Sequence, residues 1–302
     1  MTPLLGAGVN LCGRPHDTGW LRGQYLPSGS ELAAHLALTS GLASSDAELA
    51  RVSQYVAVMS GSGPLYDKLH EVFDSDYPPT ELHTFLAMLP GVLREKGYLP
   101  REEQARFPLF VTTNYDDVLE RAFEAAGEEF DLVWYVALGS RRGQFMHRSP
   151  DGQVRPVERP NEYRDIKLIE RAAILKIHGA VNRLVPDDDS YVITEDDYIS
   201  YLTQTDISEM VPVTLAAKLK RSNFLFLGYS LRDWNLRVIL HRIWVEQQQR
   251  QTYTSWAIQL DPEELDRRFW SARDVEIYNL PLETYVAELR DRLERLPALV
   301  PS

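Results

Sequence analysis

The chain has 302 residues, with 44 acidic and 32 basic side chains and a formal charge of −12. A chain of about 300 residues can bury a large core. Its composition, 44% hydrophobic and 25% charged, excludes a disordered or collagen-like protein. The negative charge disfavours non-specific capture of nucleic acid, so we do not expect direct nucleic-acid binding.

The single cysteine, Cys12, excludes an intrachain disulfide and a zinc site built from several cysteines of this chain. The histidines show no metal-ligand spacing, so we expect no metal. No apolar run approaches the roughly 18 residues that a membrane span needs, and the first residues lack the features of a signal peptide. The sequence therefore predicts a cytoplasmic protein without a membrane segment.

Short apolar runs bounded by Gly, Pro and Asn alternate with segments of helical spacing. This pattern predicts an α/β fold with a mostly parallel, Rossmann-like sheet. The predicted strands are Pro3–Ala7, Pro108–Thr112, Asp131–Ala137, Ala172–Ile177, Asn223–Gly228, Tyr253–Gln259 and Val275–Tyr278. Several are apolar throughout, which indicates strands covered on both faces.

The remaining segments predict helices and one long connection within a single domain, 1–302. After the first strand, apolar residues three and four apart predict the helices Ser30–Leu38, Asp46–Met59, Leu65–Phe73 and Thr80–Glu95. We interpret them as an inserted helical lobe, about 28–107. The Arg- and Pro-rich stretch 139–171 predicts a loop or lid. Further helices are predicted at Trp234–Gln249 and at the C-terminus, where Leu282, Tyr285, Leu289, Leu293 and Leu296 form one stripe.

A glycine turn follows the first predicted strand, in the string Leu5-Gly6-Ala7-Gly8. Glycine lets the backbone approach a phosphate closely, and a helix that starts beyond it offers free N–H groups. A complete dinucleotide fingerprint needs a third glycine where this chain has Leu11. An ordinary tight turn therefore remains open as an alternative.

Polar residues follow three other predicted strands. Asn114 and Asp116 follow the second strand, His178 follows the run that ends at Ile177, and Gly228 and Ser230 follow another, with Asp233 next. In isolation, each has a structural explanation such as helix capping. In open α/β sheets, however, ligands bind outside the carboxyl ends of strands, and histidine titrates near neutral pH. Together these residues indicate one binding crevice.

In this order, the motifs Gly6-Ala7-Gly8, Thr113-Asn114-Tyr115-Asp116, His178-Gly179 and Gly228-Tyr229-Ser230-Leu231 resemble those of the sirtuin-like NAD-binding fold. The chain looks most like the bacterial sirtuin-like domains of antiphage defence systems, which hydrolyse NAD. The string Val192–Tyr198 is similar to a further stretch of that group. The resemblance extends from Leu4 to about Tyr285.

The resemblance implies roles for particular residues, with NAD as the substrate. Gly6, Ala7 and Gly8 are expected at the pyrophosphate, with Asn10 in place of the serine usual beside it. Asn114 is expected to face the nicotinamide ribose and position water, Asp116 to hold the carboxamide and His178 to act as the base. Gly228, Ser230 and Asp233 are expected to border the adenosine ribose.

The resemblance also implies an NAD glycohydrolase that cleaves the nicotinamide–ribose bond and depletes NAD in antiphage defence by abortive infection. Because such an activity is toxic when unregulated, we expect control by assembly into a homo-oligomer or by a separate partner, such as a HerA-type ATPase or a short Argonaute. Two alternatives stay open: a non-catalytic subunit that binds NAD or ADP-ribose, and a sirtuin-type deacylase or ADP-ribosyltransferase. The missing four-cysteine zinc module disfavours deacylation.

Overall fold

The computed structural model describes residues 1–15, 17–42, 48–100, 105–203, 211–229 and 254–299. The strands are β1 Thr2–Leu5, β2 Leu109–Thr112, β3 Phe130–Tyr135, β4 Phe145–Arg148, β5 Val154–Pro156, β6 Ala172–Lys176, β7 Gly179–Ala180, β8 Ser190–Tyr191, β9 Phe224–Leu227, β10 Ser255–Gln259 and β11 Val275–Asn279. The helices are α1 Gly29–Thr39, α2 Leu49–Ser60, α3 Ser62–Phe73, α4 Glu81–Glu95, α5 Val118–Ala126, α6 Glu195–Thr203, α7 Val213–Leu219, α8 Glu264–Ser271 and α9 Leu282–Arg295.

The described strands form a nine-stranded sheet in the order β11-β10-β9-β1-β2-β6-β3-β4-β5, and β7 pairs separately with β8. In the large sheet, the strands from β11 to β3 pair in parallel, and only β4 and β5 pair antiparallel. The predicted mostly parallel α/β fold is therefore confirmed. Every residue of β2 and β9 is buried, which explains their continuous apolar sequence because helices cover both faces of a parallel sheet.

The stretch 139–171, predicted as a loop or lid, contains the antiparallel hairpin formed by β4 and β5. This hairpin extends the sheet beyond β3. Its strands are four and three residues long, and Val154 is 51% exposed. So short and exposed a pair carries little hydrophobic alternation, which is the pattern that identifies strands in a sequence.

The helices between β1 and β2 belong to two different layers. The helices α1, α2 and α3 share a core separate from the clusters on the sheet, which includes Leu36, Val56 and Leu69 and also Tyr115 and Tyr191. In contrast, α4 packs on the sheet, where Leu86 joins the cluster that contains Phe110 of β2. The lobe that stands apart from the sheet therefore consists of α1–α3.

The last helix, α9, lies against the sheet layer, and its predicted apolar stripe contributes Leu289 and Leu293 to the same cluster as β2. At its C-terminal end, the ammonium of Lys96 donates to the carbonyl oxygens of Leu293 and Leu296, both at 2.7 Å. The predicted helix Trp234–Gln249 lies outside the described residues. Among the described helices, none has the length and apolar character needed to span a membrane.

Candidate active site

Five neighbouring strands end at the same edge of the sheet. Leu5 of β1 pairs with Thr112 of β2 on one side and with Leu227 of β9 on the other. The register continues to Lys176 of β6 and to Ile258 of β10. Because parallel strands in register end together, the segments that follow them converge on one crevice.

The glycine turn after β1 packs directly on the turn after β9. The N–H of Gly6 donates to the carbonyl oxygen of Leu227 at 3.0 Å, and the N–H of Gly8 donates to that of Gly228 at 2.8 Å. A Cβ atom at Gly8 would lie 2.6 Å from the Gly228 oxygen. Glycine is needed here because two backbones meet without room for a side chain. The exposed Ala7 between them faces the cavity.

Asn114 and Asp116 are held in the segment that connects β2 to α5. The Asn114 Nδ2 atom donates to the Gly6 carbonyl oxygen at 3.3 Å. The Asp116 Oδ1 atom accepts from the N–H of Val118, the first residue of α5, at 3.2 Å, and Oδ2 accepts from Asn10 Nδ2 at 3.0 Å. One of the two N–H donors of the Asn10 amide is therefore bonded to Asp116.

His178 follows β6 at the same edge, but its side chain is only 2% exposed. Its ring packs edge-on against the rings of Tyr198 and Tyr201, with centroids 5.5 and 5.8 Å away. Its carbonyl oxygen accepts from the N–H of Val192 at 2.8 Å. The imidazole thus lies in the wall of the crevice, more enclosed than a residue at the rim of a sheet would be.

The crevice is a cavity of about 730 Å³, which lies in the size range of small-molecule and cofactor sites. Its floor is the edge of the sheet, and its roof includes Leu32, Leu49 and Phe73 of the α1–α3 lobe. The residues that precede and begin α9, Leu280 to Glu283, also line the cavity. Tyr198 lines it as well, beside His178.

A charged pair connects the segment after the glycine turn to the lobe. The guanidinium of Arg14 contacts both carboxylate oxygens of Glu31, at 3.0 and 3.1 Å. Glu31 also accepts from the N–H groups of Ser28 and Trp20, at 2.7 and 2.8 Å. Burial alone would raise the pKa of Glu31, but these hydrogen bonds hold it below its usual value. Arg14 lines the cavity and is fixed there by the first turn of α1.

The structure brings most of the predicted site residues to this one cavity. Those that line it are Gly6, Ala7, Gly8, Asn10, Asn114, Asp116, His178 and Gly228. Ser230 and Asp233 lie outside the described residues. The lining residues that sequence reasoning missed include Arg14, Gln259, Leu260 and Glu283. Gln259 and Leu260 come at the end of the predicted strand β10, so the strand-end rule could have found them, whereas no local signal identifies Arg14.

In the described ranges, no group of three or more His, Cys, Asp or Glu residues is placed to hold a metal ion. Cys12 lines the cavity and is buried, and its burial raises the pKa of the thiol to about 11. A thiol with so high a pKa is protonated at neutral pH and is a poor nucleophile. Polar groups that do line the cavity include the amide of Asn114, the carboxylate of Asp116 and the imidazole of His178.

Residues 108–278 match the SIR2-like domain family. The chain is also similar to the NAD(+) hydrolase ThsA of Acinetobacter baumannii (strain 532279), with 28% identity over 211 residues. That alignment covers 69% of this chain and 34% of the relative, so the chain spans about a third of the length of that protein.

Proposed function

Since the chain belongs to the SIR2-like domain family, which matches more than half of its residues, we propose that it is an NAD+ glycohydrolase. In this reaction the bond between the nicotinamide nitrogen and C1′ of the ribose breaks, and its electron pair neutralises the pyridinium ring. Water attacks C1′ and loses a proton, which yields nicotinamide and ADP-ribose. The similarity to an NAD(+) hydrolase supports this proposal.

One observation carries the proposal: Asn114, Asp116 and His178 share a cavity with the glycine turn Gly6–Gly8. In the sheet, β1 lies between β9 and β10 on one side and β2 and β6 on the other. A dinucleotide with its diphosphate at the glycine turn would place one nucleoside near Gly228 and the other near Asn114. We assign the nicotinamide half to the side of Asn114, where the polar reactive groups lie.

The chemistry places few demands on proton donors because nicotinamide leaves as a neutral molecule. The transition state resembles an oxocarbenium ion, as in glycoside hydrolysis. Asn114 would orient the ribose and the attacking water, and Asp116 would hold the carboxamide. His178 would accept the proton that the water loses. The roof formed by the α1–α3 lobe would exclude competing solvent from the reacting atoms.

Two substitutions test these roles. Asn114→Ala and His178→Gln should each lower the rate of NAD+ consumption by about a hundredfold or more, in line with the loss of a positioning group or a general base. Glutamine is preferred at 178 because alanine would leave a void beside Tyr198 and Tyr201. Nicotinamide release from purified protein is the measurement.

A matched control is His147→Gln. His147 is also a buried histidine, 3% exposed, but it bonds Asp131 at 3.0 Å and Tyr163 at 2.7 Å, outside the cavity lining. This variant should lose stability and keep its activity per folded molecule. If His178→Gln consumed NAD+ as fast as the parent, the imidazole would have no part in the reaction. A parent that binds NAD+ without releasing nicotinamide, both alone and together with an activating partner, would instead be a binding subunit.

We further propose that the activity depletes NAD in antiphage defence and is controlled by assembly or by a partner of the HerA-type ATPase or short Argonaute class. The support is the sequence resemblance, together with the toxicity of unregulated NAD hydrolysis. Size-exclusion chromatography combined with nicotinamide release, with and without the partner, tests this control. A strict monomer with full activity on its own would refute it.

A further inference from the structure

A buried ion pair lies beneath the wall of the cavity, and the proposed reaction does not use it. Lys176, the last residue of β6, is 1% exposed, and Glu120 of α5 is 4% exposed. The Lys176 Nζ atom is 2.6 Å from Glu120 Oε1. The same ammonium also donates to the main-chain carbonyl oxygen of Asp116. It therefore connects β6 to the segment that carries the site carboxylate.

The pair contributes little to the stability of the fold. Burial raises the pKa of the Glu120 carboxyl above its usual value, although the Lys176 charge opposes this shift. The second carboxylate oxygen of Glu120 accepts no hydrogen bond from any described residue. Because desolvation of two charges offsets their attraction, a buried pair with incomplete hydrogen bonding adds little net stability. What the pair does determine is the position of the Asp116 main-chain carbonyl group, to which Lys176 donates.

Each oxygen of Asp116 has one partner, and each partner comes from a different part of the fold. The main-chain oxygen accepts from Lys176 of β6, Oδ1 from the Val118 N–H of α5, and Oδ2 from Asn10 beside the glycine turn. A carboxylate oxygen accepts more than one hydrogen bond, so both side-chain oxygens can still accept from a ligand. The hydrogen bond from Lys176 fixes the main chain at Asp116.

We propose that Lys176, paired with Glu120, is a positioning residue for Asp116 and thereby sets how tightly the site holds the carboxamide of NAD+. The inference rests on the proposed function, in which Asp116 accepts a hydrogen bond from the carboxamide NH₂. An Asp116 backbone released from Lys176 would let the carboxylate drift from that donor. Charge-assisted hydrogen bonds are short and depend strongly on geometry.

The test removes both charges together, in the double variant Lys176→Met with Glu120→Leu. Because no isolated charge is left buried, the melting temperature should stay near that of the parent. The KM and the Kd for NAD+ should rise by about tenfold, the effect of weakening one charge-assisted hydrogen bond.

A substrate analogue separates positioning from general structural damage. In 3-acetylpyridine adenine dinucleotide a methyl ketone replaces the carboxamide, so the NH₂ donor is absent. The double variant should bind this analogue about as well as the parent does. An equal rise in Kd for NAD+ and for the analogue would overturn the proposal, and so would an unchanged Kd for NAD+ in the folded variant.

Two further variants secure the result. Glu120→Gln keeps the side-chain size but removes the charge that pairs with Lys176, so the Kd for NAD+ should rise less than in the double variant, and the Kd for the analogue should not rise. If the double variant failed to fold, the absence of this selective rise in Glu120→Gln would count against the proposal. Lys218→Met is the matched control. Its ammonium donates to the Ala105 carbonyl at 2.8 Å, but Ala105 precedes β2 at the opposite end of the sheet, so binding should be unchanged.

The outcomes distinguish this inference from the proposed function. A parent that binds NAD+ without consuming it, both alone and with an activating partner, would refute the hydrolase, while the selective change in Kd would still decide the role of Lys176. A parent that neither binds nor consumes NAD+ would refute both. A parent that consumes NAD+, with a Lys176/Glu120 double variant of unchanged Kd, would refute the positioning role alone.

Discussion

A single methyl group at Gly8 should disturb both the stability and the activity of this protein. A Cβ atom there would lie 2.6 Å from the Gly228 oxygen and 2.8 Å from the Gly228 Cα, whereas real Cβ contacts stay above 3.0 Å. One of the two turns must therefore move by at least 0.4 Å. Neither moves easily, since the Gly8 N–H is bonded to the Gly228 oxygen at 2.8 Å.

For Gly8→Ala we expect a loss of about 2 kcal/mol in the free energy of unfolding, which is typical of an overpacked core. This corresponds to a fall in melting temperature of roughly 3 °C. Because the displaced backbone borders the cavity, we also expect NAD+ consumption to fall by roughly tenfold or more. Thermal unfolding followed by circular dichroism and nicotinamide release at a temperature where the variant is folded are the two assays.

The control is Gly63→Ala in α3, where an added Cβ meets no atom within 4 Å. The free energy of unfolding of that variant should rise by about 0.5–1 kcal/mol, since alanine is the better helix former. Its activity should be unchanged. If Gly8→Ala melted and consumed NAD+ like the parent, the close packing of the turns after β1 and β9 would not be a requirement of the site.

Two predictions concern other parts of the fold. Burial lowers the pKa of His83 to about 4, while nearby Asp116 opposes the shift. Below about pH 6.5 the unfolded chain therefore binds a proton that the folded protein does not. Stability is lost as the pH falls from 6.5 to 4. Between pH 7 and pH 5, the free energy of unfolding measured in urea should fall by about 2 kcal/mol less in His83→Gln than in the parent. Glutamine is chosen because it keeps a capping-box residue at this position. An equal fall in the two proteins would refute the assignment. Lys96→Met should lower the free energy of unfolding by about 2 kcal/mol, because the ammonium donates to three carbonyl oxygens at the end of α9. The control Arg292→Met, on the exposed face of α9, should lower it by less than about 0.5 kcal/mol. Equal melting temperatures for these two variants would show that Lys96 does not hold the helix.

The fold class and the location of the site follow from local patterns. Runs such as Phe224–Leu227 are apolar throughout, and this identifies buried parallel strands because only such strands are covered on both faces. Once the strands are known, Asn114 and His178 are expected at one edge, since parallel strands end together. The structure places both in one cavity.

Contacts between distant segments could not be predicted in this way. The β4–β5 hairpin is too short and exposed for its alternation to be recognised, and nothing in the sequence of α4 distinguishes a helix on the sheet from one in the lobe. Arg14 meets Glu31, and Lys176 meets Glu120, only because the chain brings their elements together. Hydrogen-bond partners depend on distances of a few ångströms, which no sequence period specifies.

The sequence by itself therefore determined the strands, their burial and the edge at which the polar residues collect, because each of these depends on the order of apolar and polar residues along a few turns or strands. Only the tertiary structure decided which groups enclose that edge and how Asp116 is held, because these depend on the packing of α5, β6 and the glycine turn against one another.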